Sequence, residues 1–475
     1  MPFLTHLNLD YNALSLKFPS FAVSFRNLTS LDLSLNKLTG SLPESVFTQL
    51  GNLEFLSLTD NLFEGPLPRY IFRLSKLKEL NLGRNKFSGS VPDSIGLLHN
   101  LQVLELYNNS LGGNIPVSIG QLKELQKLNL KENYLKSSIP PELGLCTKLN
   151  FLDLAGNSLT GTLPLSFSNL TQISELSLSD NFLSGKPSPQ LVSNWTELKS
   201  LNIRNNTFIG NIPPEISMLA NLNYLSLHSN DFKGTVTREI GKLKKLLILN
   251  LAHNHLEGSL PATIGNLTNL VVLILFCSNL SGNLALPGNQ YLNKKKLVGE
   301  EVPDSIADFT SLEILLLHSN KFSAYSDEFM GSNFQASTSL IIKGKEVQVL
   351  KILNLYTSVD LSSNNFNGEL PEVIGELKLL RLLNMSLLES LDLSSNHLTG
   401  TIPWQLTSLT FLSALNLSEN NLSGKIPLGR QFNTFSNDSF LGNMALCGVP
   451  LTKICRNIDS PTPEIDVKKI SLNGK

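Results

Sequence analysis

Residues 101–122 read LQVLELYNNSLGGNIPVSIGQL, and this stretch decides the fold. The alternation of Leu104 and Leu106 predicts a short β-strand that buries one face. Asn109 follows where the chain must leave the strand in a tight turn. Its amide can donate to and accept from backbone groups that such a turn leaves unpaired. The first half of the stretch therefore predicts a strand that ends at an internal asparagine.

The second half of the stretch turns the chain away from the strand and towards the outer side. Gly113 permits a positive φ, and Pro116 prevents a helix or a strand ladder from continuing. Ile119 and Leu122 then supply apolar side chains that seal the outer side. The whole stretch predicts one coil, with a strand on one side and an apolar segment on the other.

The same pattern repeats along the chain. Twelve consecutive units, spaced by 24 or 25 residues, begin at Leu4, Leu28, Leu53, Leu77, Leu101, Leu125, Leu149, Ile173, Leu198, Leu222, Leu246 and Leu270, and further units begin at Leu312, Tyr356, Leu388 and Leu412. The equivalents of Asn109 are Asn12, Asn36, Asn61, Asn85, Asn133, Asn157, Asn181, Asn206, Asn230 and Asn254. A single unit cannot bury its own leucines, so stability must come from stacking. The repeat predicts an α/β solenoid with a concave parallel β-sheet and an internal column of asparagines.

The composition and the missing motifs exclude several classes of function. Lys and Arg number 38 against 39 Asp and Glu, which leaves no net field to attract nucleic acid or an anionic membrane. The sequence contains no glycine-rich phosphate loop, kinase signature, Cys-x-x-Cys pair or Gly-x-Ser-x-Gly elbow. His253 and His255 flank Asn254, which favours solvated turn side chains over metal ligands. We therefore expect a protein that is not an enzyme and holds no metal or cofactor.

Three segments carry a resemblance to one family. Residues 422–427, LSGKIP, look like the plant-type leucine-rich repeat of extracellular receptors. Residues 426–451, IPLGRQFNTFSNDSFLGNMALCGVPL, resemble the C-terminal cap of the same receptors. Lys343-Gly344, leading to TSVDLSSN at 357–364, looks like the return from an island loop into the last repeats. Over roughly residues 1–455, the chain resembles the plant leucine-rich-repeat receptor-like proteins, kinase-lacking cell-surface receptors of immunity and development.

The resemblance implies a right-handed superhelix and divides the chain into six segments. These are regular repeats at 1–286, degenerate repeats at 287–323, a short island-like loop at 324–355, C-terminal repeats at 356–427, a C-terminal cap at 428–455 and a polar tail at 456–475. One unit is truncated near 380–388, because only eight residues separate Leu380 from Leu388. We interpret this unit, and the 17-residue spacing from Leu280 to Leu297, as natural degeneration or an erroneous exon join.

The chain departs from the family pattern at both ends. It begins inside a repeat, whereas the family has a signal peptide and a cysteine-containing N-terminal cap. It closes on a polar tail, whereas the family continues into a membrane helix. The longest apolar stretch, Leu270 to Cys277, has eight residues, against the ~20 that span a bilayer. We expect a chain truncated at both ends, and only the resemblance implies a place on the extracellular side of the plasma membrane.

Cysteines and glycosylation sequons agree with an extracellular family. In the region that resembles the cap, Cys447 and Cys455 are expected to form a disulfide that seals the last coil. Such a bond implies an oxidising compartment. Candidate glycosylation sequons begin at Asn27, Asn108, Asn169, Asn194, Asn205, Asn266, Asn279, Asn384, Asn416, Asn421 and Asn437.

The concave sheet is the expected binding surface of such a solenoid. Aromatic and basic side chains anchor most interfaces, and here they fall into two clusters. The first cluster, in units five to seven, is Tyr107, Lys131 and Phe151; the second, in units nine to twelve, is Arg204, Tyr224, His228, His253 and Phe276. The alternative stays open that β-propensity alone places aromatic residues on an exposed sheet.

The resemblance implies that the chain recognises a peptide, protein or glycan ligand on this face. Since the chain has no kinase, it would signal through a partner kinase, which in the family docks near the last repeats. Two alternatives remain: a secreted inhibitor of microbial wall-degrading enzymes, which has the same repeat architecture, and a non-functional receptor fragment, which the shortened repeats favour. No nucleic-acid partner is expected.

Overall fold

The computed structural model describes residues 4–19, 21, 24–283, 314–323, 341–342, 345–346, 357–370, 388–429 and 431–455. Its dominant element is a sheet of 16 parallel strands, the main sheet, in which each strand pairs with the strand that the preceding unit contributes. The strands are His6–Asn8, Ser30–Asp32, Phe55–Ser57, Glu79–Asn81, Val103–Glu105, Lys127–Asn129, Phe151–Asp153, Glu175–Ser177, Ser200–Asn202, Tyr224–Ser226, Ile248–Asn250, Val272–Ile274, Ile314–Leu316, Thr357–Asp360, Leu388–Asp392 and Ala414–Asn416. The solenoid predicted from the repeat is confirmed.

A second parallel sheet of 13 strands runs beside the main sheet. Its strands are Ser15–Leu16, Lys37–Gly40, Leu62–Pro66, Lys86–Ser90, Ser110–Gly113, Tyr134–Ser138, Ser158–Gly161, Phe182–Gly185, Thr207–Gly210, Asp231–Gly234, His255–Ser259, Asn279–Asn283 and Lys321–Ser323. Three further strand pairs join Ile341–Ile342 to Lys345–Glu346, Asn367–Glu369 to His397–Thr399, and Ser423–Lys425 to Ala445–Cys447. Each regular coil therefore contributes one strand to each large sheet.

Short helical turns close the outer side of the coils. Two are α-helical, Glu44–Phe47 and Pro189–Asn194. The others are 3₁₀ turns at Arg69–Arg73, Asp93–Leu97, Val117–Gln121, Pro141–Leu145, Leu165–Asn169, Pro214–Met218, Arg238–Lys242, Ala262–Asn266, Trp404–Ser408, Gln431–Thr434 and Asn437–Ser439. Most begin directly after a proline, whose fixed φ starts the turn. Their apolar residues, such as Ile119, seal the core.

Leucines fill the space between the sheets and the outer turns. Leu101, Leu104 and Leu106 are all fully buried, as are their equivalents in the neighbouring units. Phenylalanines stack between units, with ring centroids 6.2 Å apart for Phe63 and Phe87. The core is therefore one continuous column that no single unit could build.

The predicted asparagine ladder is present in the coils. In unit six, Asn133 Nδ2 donates to the carbonyls of Leu106, Leu130 and Lys131 at 3.0, 3.1 and 3.2 Å. Its Oδ1 accepts from the backbone N–H of Leu111 at 3.0 Å. Each amide thus satisfies backbone groups of its own coil and of the coil before it. Asn12 is the exception, since it is exposed and bonds only within its own unit.

The residue before each ladder asparagine has left-handed backbone geometry. Its φ is 52° at Asn108, 53° at Glu132 and 49° at His253. Such geometry costs a non-glycine residue on the order of 1 kcal/mol. The left-handed geometry recurs in every described unit, with Gly156 at the equivalent position of unit seven, so it belongs to the coil and does not mark one functional residue.

The irregular segments fall largely outside the described residues. The main sheet passes from Val272–Ile274 directly to Ile314–Leu316, and residues 284–313 between them are not described. The truncated unit near 380–388 lies in the undescribed stretch 371–387, and the sheet continues from Thr357–Asp360 to Leu388–Asp392. Of the island-like loop at 324–355, only one antiparallel strand pair is described. The predicted segment boundaries therefore stay predictions.

The cap continues the solenoid after the last strand of the main sheet. Asn443 Nδ2 donates to Leu417 O at 2.9 Å, as a ladder asparagine does. A disulfide joins Cys447 to Cys455 beside the strand pair of the cap. Within the described ranges, no helix is both long and apolar enough to cross a membrane.

Replacing one ladder amide should destabilise the coil strongly. Asn133→Ala removes four hydrogen bonds of the buried turn. The N–H of Leu111 loses its partner, and each of the three carbonyls loses one of its two donors. We expect the free energy of unfolding to fall by about 3 kcal/mol or more, measured by urea denaturation. The matched control is Asn150→Ala, since Asn150 is exposed and its side chain makes no hydrogen bond within the described residues. Equal midpoints for the two variants would contradict the ladder's role.

Candidate ligand-binding face

The outward side of the main sheet presents three rows of side chains, which we call the ligand face. Most main-sheet strands bury their middle residue and leave the residues on either side half-exposed. The first strand residue, such as Val103, forms the first row, and the third, such as Glu105, forms the second row. The third row lies two residues further on, as at Tyr107. Register pairs hold each row straight across the sheet.

The second row has a structural task that its residue types alone do not reveal. Asn129, Asp153, Asn202 and Asn250 each use Oδ1 to accept the backbone N–H two residues ahead, at 3.0 to 3.3 Å. By residue type alone, these small polar side chains could be filler. These side chains instead fix the turn that leaves the strand, and each stays half-buried on the ligand face.

Tyr107 and Phe151 of the first predicted cluster pack on residues of the neighbouring units. The ring of Tyr107 covers Gly83, where a Cβ would lie 2.4 Å from its Cε1. Lys127 Nζ stands 5.0 Å from the ring centroid of Phe151 and 2.5 Å from Glu105 Oε1. Burial, followed by the charge of Glu105, raises the pKa of the Tyr107 hydroxyl. Lys127 thus contacts both Phe151 and Glu105. Sequence reasoning missed Lys127, although its place beside Phe151 in the first row could have pointed to it.

Lys131 stands apart from that contact. Its Nζ lies 3.0 Å from Oε1 of Glu132, the next residue along the chain. No described ion pair, hydrogen bond or ring contact joins the Lys131 side chain to Tyr107 or Phe151, although Lys131 follows Tyr107 in the third row. The first cluster stays a prediction.

Several side chains of the second predicted cluster are held by ion pairs and hydrogen bonds. Arg204 Nη2 lies 3.2 Å from Asp180 Oδ2, and Asn205 Nδ2 donates to Asp180 Oδ1 at 3.0 Å. His228 Nδ1 lies 2.9 Å from Ser229 Oγ. Tyr224 is half-buried in the first row, one strand from Ser200 and one from Ile248.

A row of rings extends the second cluster across three units. His253 meets Phe276 edge-on with centroids 5.0 Å apart. Phe276 stacks nearly parallel on His318, with centroids 4.2 Å apart. His318 was missed, although it follows Leu312 by the six residues that separate Tyr107 from Leu101. The irregular spacing around its unit hid this equivalence.

Burial controls the titration of these histidines. Desolvation, together with the charges of Arg204 and His253, lowers the pKa of His228 to about 4. Desolvation lowers the pKa of His318 to about 4 as well. Desolvation, followed by the charge of His318, also lowers the pKa of His253. The histidine rings are therefore neutral near pH 7 and present uncharged faces and ring nitrogens.

Beyond the rings, the ligand face becomes acidic. Asp360 and Asp392 are register partners in neighbouring strands, and burial raises the pKa of both carboxyl groups. Asp392 Oδ2 accepts from Asn416 Nδ2 at 3.0 Å. Within the described residues, no group of three or more His, Cys, Asp or Glu side chains is placed to hold a metal ion.

The sequons occupy several surfaces. Exposed asparagines are Asn27, Asn108, Asn169, Asn194, Asn205, Asn266, Asn279, Asn421 and Asn437. Asn416 is half-buried on the ligand face, and Asn384 lies outside the described residues. Glycosylation of any of them stays a prediction.

Comparison with known proteins identifies the repeat. The Leucine Rich Repeat family model matches residues 27–48, 76–98, 100–122, 124–146, 148–170, 197–219, 245–267, 357–377 and 387–409. Receptor-like protein 33 of Arabidopsis thaliana is 39% identical over 177 residues, which cover 34% of this chain and 20% of that protein. The solved structure of the plant peptide hormone receptor RGFR1 in complex with RGF2 superposes with a TM-score of 0.74 and 30% identity, covering 94% of this chain and 68% of that one. The chain belongs to the plant leucine-rich-repeat receptor-like proteins.

A second solved receptor supports the same assignment. The crystal structure of PEPR1 with AtPEP1 superposes with a TM-score of 0.61 at 27% identity, covering 94% of this chain and 63% of that one. The match to Receptor-like protein 33 spans about one fifth of its length. The chain thus has the leucine-rich-repeat fold of these receptors and spans only part of the length of that relative.

The lowered pKa of His228 predicts that the stability of this receptor-like protein depends on pH. The pKa of His228 is about 4 in the fold, against about 6.5 in an unfolded chain. Below pH 6.5 the unfolded chain binds a proton that the folded ring does not, so stability falls as the pH drops from about 6.5 towards 4. Arg204, His253 and Asp180 are the charged or titratable groups whose charges act on His228.

We expect His228→Asn to lose less stability than the wild type between pH 7 and pH 5, measured by urea midpoints. The matched control is His99→Asn, because His99 is exposed on the outer side, and it should keep the wild-type difference. If His228→Asn and the wild type lost the same stability between pH 7 and pH 5, His228 would not be the cause of the pH dependence.

Proposed function

We propose that this receptor-like chain recognises a peptide ligand on its ligand face, outside the cell. The observation that carries the proposal is the second cluster. Arg204 lies in one unit, Tyr224 and His228 lie in the next unit, and the unit after that contributes His253, whose ring meets that of Phe276. A half-exposed surface with aromatic rings and an arginine is the kind that anchors a partner. RGFR1 and PEPR1, which share the fold, are each seen with a peptide in their structures.

The rigidity of the ligand face supports peptide recognition. The strands beneath the cluster are held in register, and the turns after Asn202 and Asn250 are fixed by their own side chains. A surface organised before binding loses little conformational entropy when the ligand arrives. An extended peptide laid across several strands would therefore meet side chains that are already in position.

Signalling would require a partner kinase, as the resemblance implies. A docking place near the last repeats is supported by exposed apolar side chains on their outer side. Trp404, Phe411 and Leu428 are 69%, 56% and 59% exposed. Exposed apolar side chains of this size mark interaction surfaces when they lie close together.

Peptide binding can be tested with a pool of synthetic random decapeptides. The secreted chain is incubated with the pool, and retained peptides are identified by mass spectrometry. We expect a limited set of related sequences, whose affinity falls at least about tenfold in the triple variant Arg204→Ala, Tyr224→Ala, His228→Ala. The control triple variant Val117→Ala, Lys148→Ala, Leu165→Ala changes exposed outer residues and should bind like the wild type. Unchanged affinity in the first variant, with its fold intact, would remove this patch from the proposal.

Placement outside the cell has its own test. On expression through a plant secretory pathway, we expect glycans at exposed sequons such as Asn169, Asn194 and Asn266. Glycosidase treatment should then increase electrophoretic mobility, and the triple Asn→Gln variant should show a smaller shift. A chain that is secreted and shows no shift would count against the extracellular assignment.

A further inference from the structure

One described coil lacks the ladder amide of its neighbours. Unit twelve carries Ser278 at the position where units eleven and thirteen carry Asn254 and Asn320. Cys277, directly before it, has a φ of 52°, against 49° at His253, so the coil keeps the backbone geometry of the ladder. The main-sheet strands on either side also stay in register. Only the side chain differs, therefore, while the backbone around it follows the pattern of the other coils.

A serine cannot replace the amide, because its side chain is shorter and has a single donor. Asn254 makes four hydrogen bonds. Two of them cross to the preceding coil, with 3.1 Å from its Nδ2 to Leu227 O and 3.0 Å from Phe232 N to its Oδ1. The hydroxyl of Ser278 is buried and makes no hydrogen bond among the described residues. The interface between units eleven and twelve consequently lacks two bonds that hold units ten and eleven together.

The serine also leaves a buried backbone donor without its usual acceptor. In the regular coils this N–H donates to the next ladder asparagine, as Leu280 N does to Asn320 Oδ1 at 3.2 Å. The equivalent N–H towards Ser278 is that of Leu256, which is fully buried. No side chain in the described part of the chain accepts from it. A buried donor without a partner costs free energy in the closed coil, so the closed state is less favourable here.

We propose that the interface between units eleven and twelve, the serine interface, opens more readily than the regular interface between units ten and eleven. The stability of a solenoid is approximately a sum over its units and over the interfaces between neighbours, so a weak interface localises the opening. Local opening exposes backbone groups there that stay protected where the ladder is complete. The strand bonds across the serine interface persist in the closed state and allow it to re-form.

The serine interface crosses the second cluster of the ligand face. His253 belongs to unit eleven and Phe276 to unit twelve, and their rings meet edge-on with centroids 5.0 Å apart. Opening separates these two rings, whereas Phe276 keeps its stacking on His318 at 4.2 Å. The rigid strands up to Ile248–Asn250 lie on the other side of the interface. The substitution of one ladder residue therefore divides the cluster into two parts that can move relative to each other.

Hydrogen–deuterium exchange at residue resolution tests the proposal on the wild-type chain. The reporters are two leucine N–H groups at equivalent positions: Leu227 donates to Asn250 O and Leu251 donates to Ile274 O, both at 2.9 Å. The first bond crosses the regular interface, and the second crosses the serine interface. Because the two bonds match, a difference in exchange reports how often each interface opens. We expect a protection factor at least about tenfold lower at Leu251 than at Leu227.

Two reciprocal variants attribute the difference to the ladder side chain. Ser278→Asn supplies the missing amide, and the protection factor of Leu251 should rise at least about tenfold, towards that of Leu227. Asn254→Ser moves the defect one coil earlier and should lower the protection factor of Leu227 by a similar factor. The matched control is Ser259→Asn, which makes the same exchange at an exposed position of unit eleven and should change neither reporter.

Three outcomes would overturn the proposal. The first is equal protection of Leu227 and Leu251 in the wild type. The second is an unchanged Leu251 in Ser278→Asn, once its urea midpoint verifies that the variant is folded. If Ser278→Asn does not fold, Asn254→Ser decides the question, because an unaltered Leu227 in that variant would mean that the amide does not hold the interface closed.

Discussion

The ladder asparagine is the interaction on which the rest of the structure depends. Each coil turns sharply after its strand and leaves carbonyls and an N–H pointing inward, where water cannot reach them. Asn109 meets this need with one side chain: its Nδ2 donates to Leu82, Leu106 and Tyr107, and its Oδ1 accepts from Phe87. Two of those partners belong to the preceding coil. The amide therefore sets the spacing between coils, and the leucines and the strand register follow from that spacing. An aspartate would lack the donors, and an alanine would remove all four hydrogen bonds, although each of the three carbonyls would keep one other donor.

The periodic part of the molecule could be predicted from the sequence because each unit obeys the same local rule. The strand, the internal asparagine and the outer turn at 101–122 all follow from residue types and their spacing. The same reasoning failed at His318, since its unit follows a stretch in which the period breaks. It also left open how the chain passes from Leu280 to Ile314, because no repeated neighbour constrains that segment.

The ligand face was predictable as a surface, but not as a set of contacts. A sequence places Arg204 and Lys131 in the same row, yet Arg204 pairs across the sheet with Asp180 while Lys131 pairs with the adjacent Glu132. Those choices depend on side-chain lengths and on the neighbouring strand. The use of Asn202 Oδ1 by its own turn was equally invisible, because residue identity does not tell which amide atom the backbone engages. Burial then lowers the pKa of His228 to about 4, so its ring stays uncharged even in mildly acidic solution, an effect that only the packed sheet produces.

The Asx turns of the second row have an evolutionary consequence. Asn and Asp codons differ by one base, and both residues complete the same turn, as Asn129 and Asp153 do in adjacent strands. A point mutation at such a position can exchange a donor for an acceptor without disturbing the coil beneath it. Selection could therefore redraw the hydrogen-bonding pattern of the receptor surface one strand at a time, at almost no cost to folding. In a gene family under pressure to recognise changing ligands, these positions would be sites where new specificities arise.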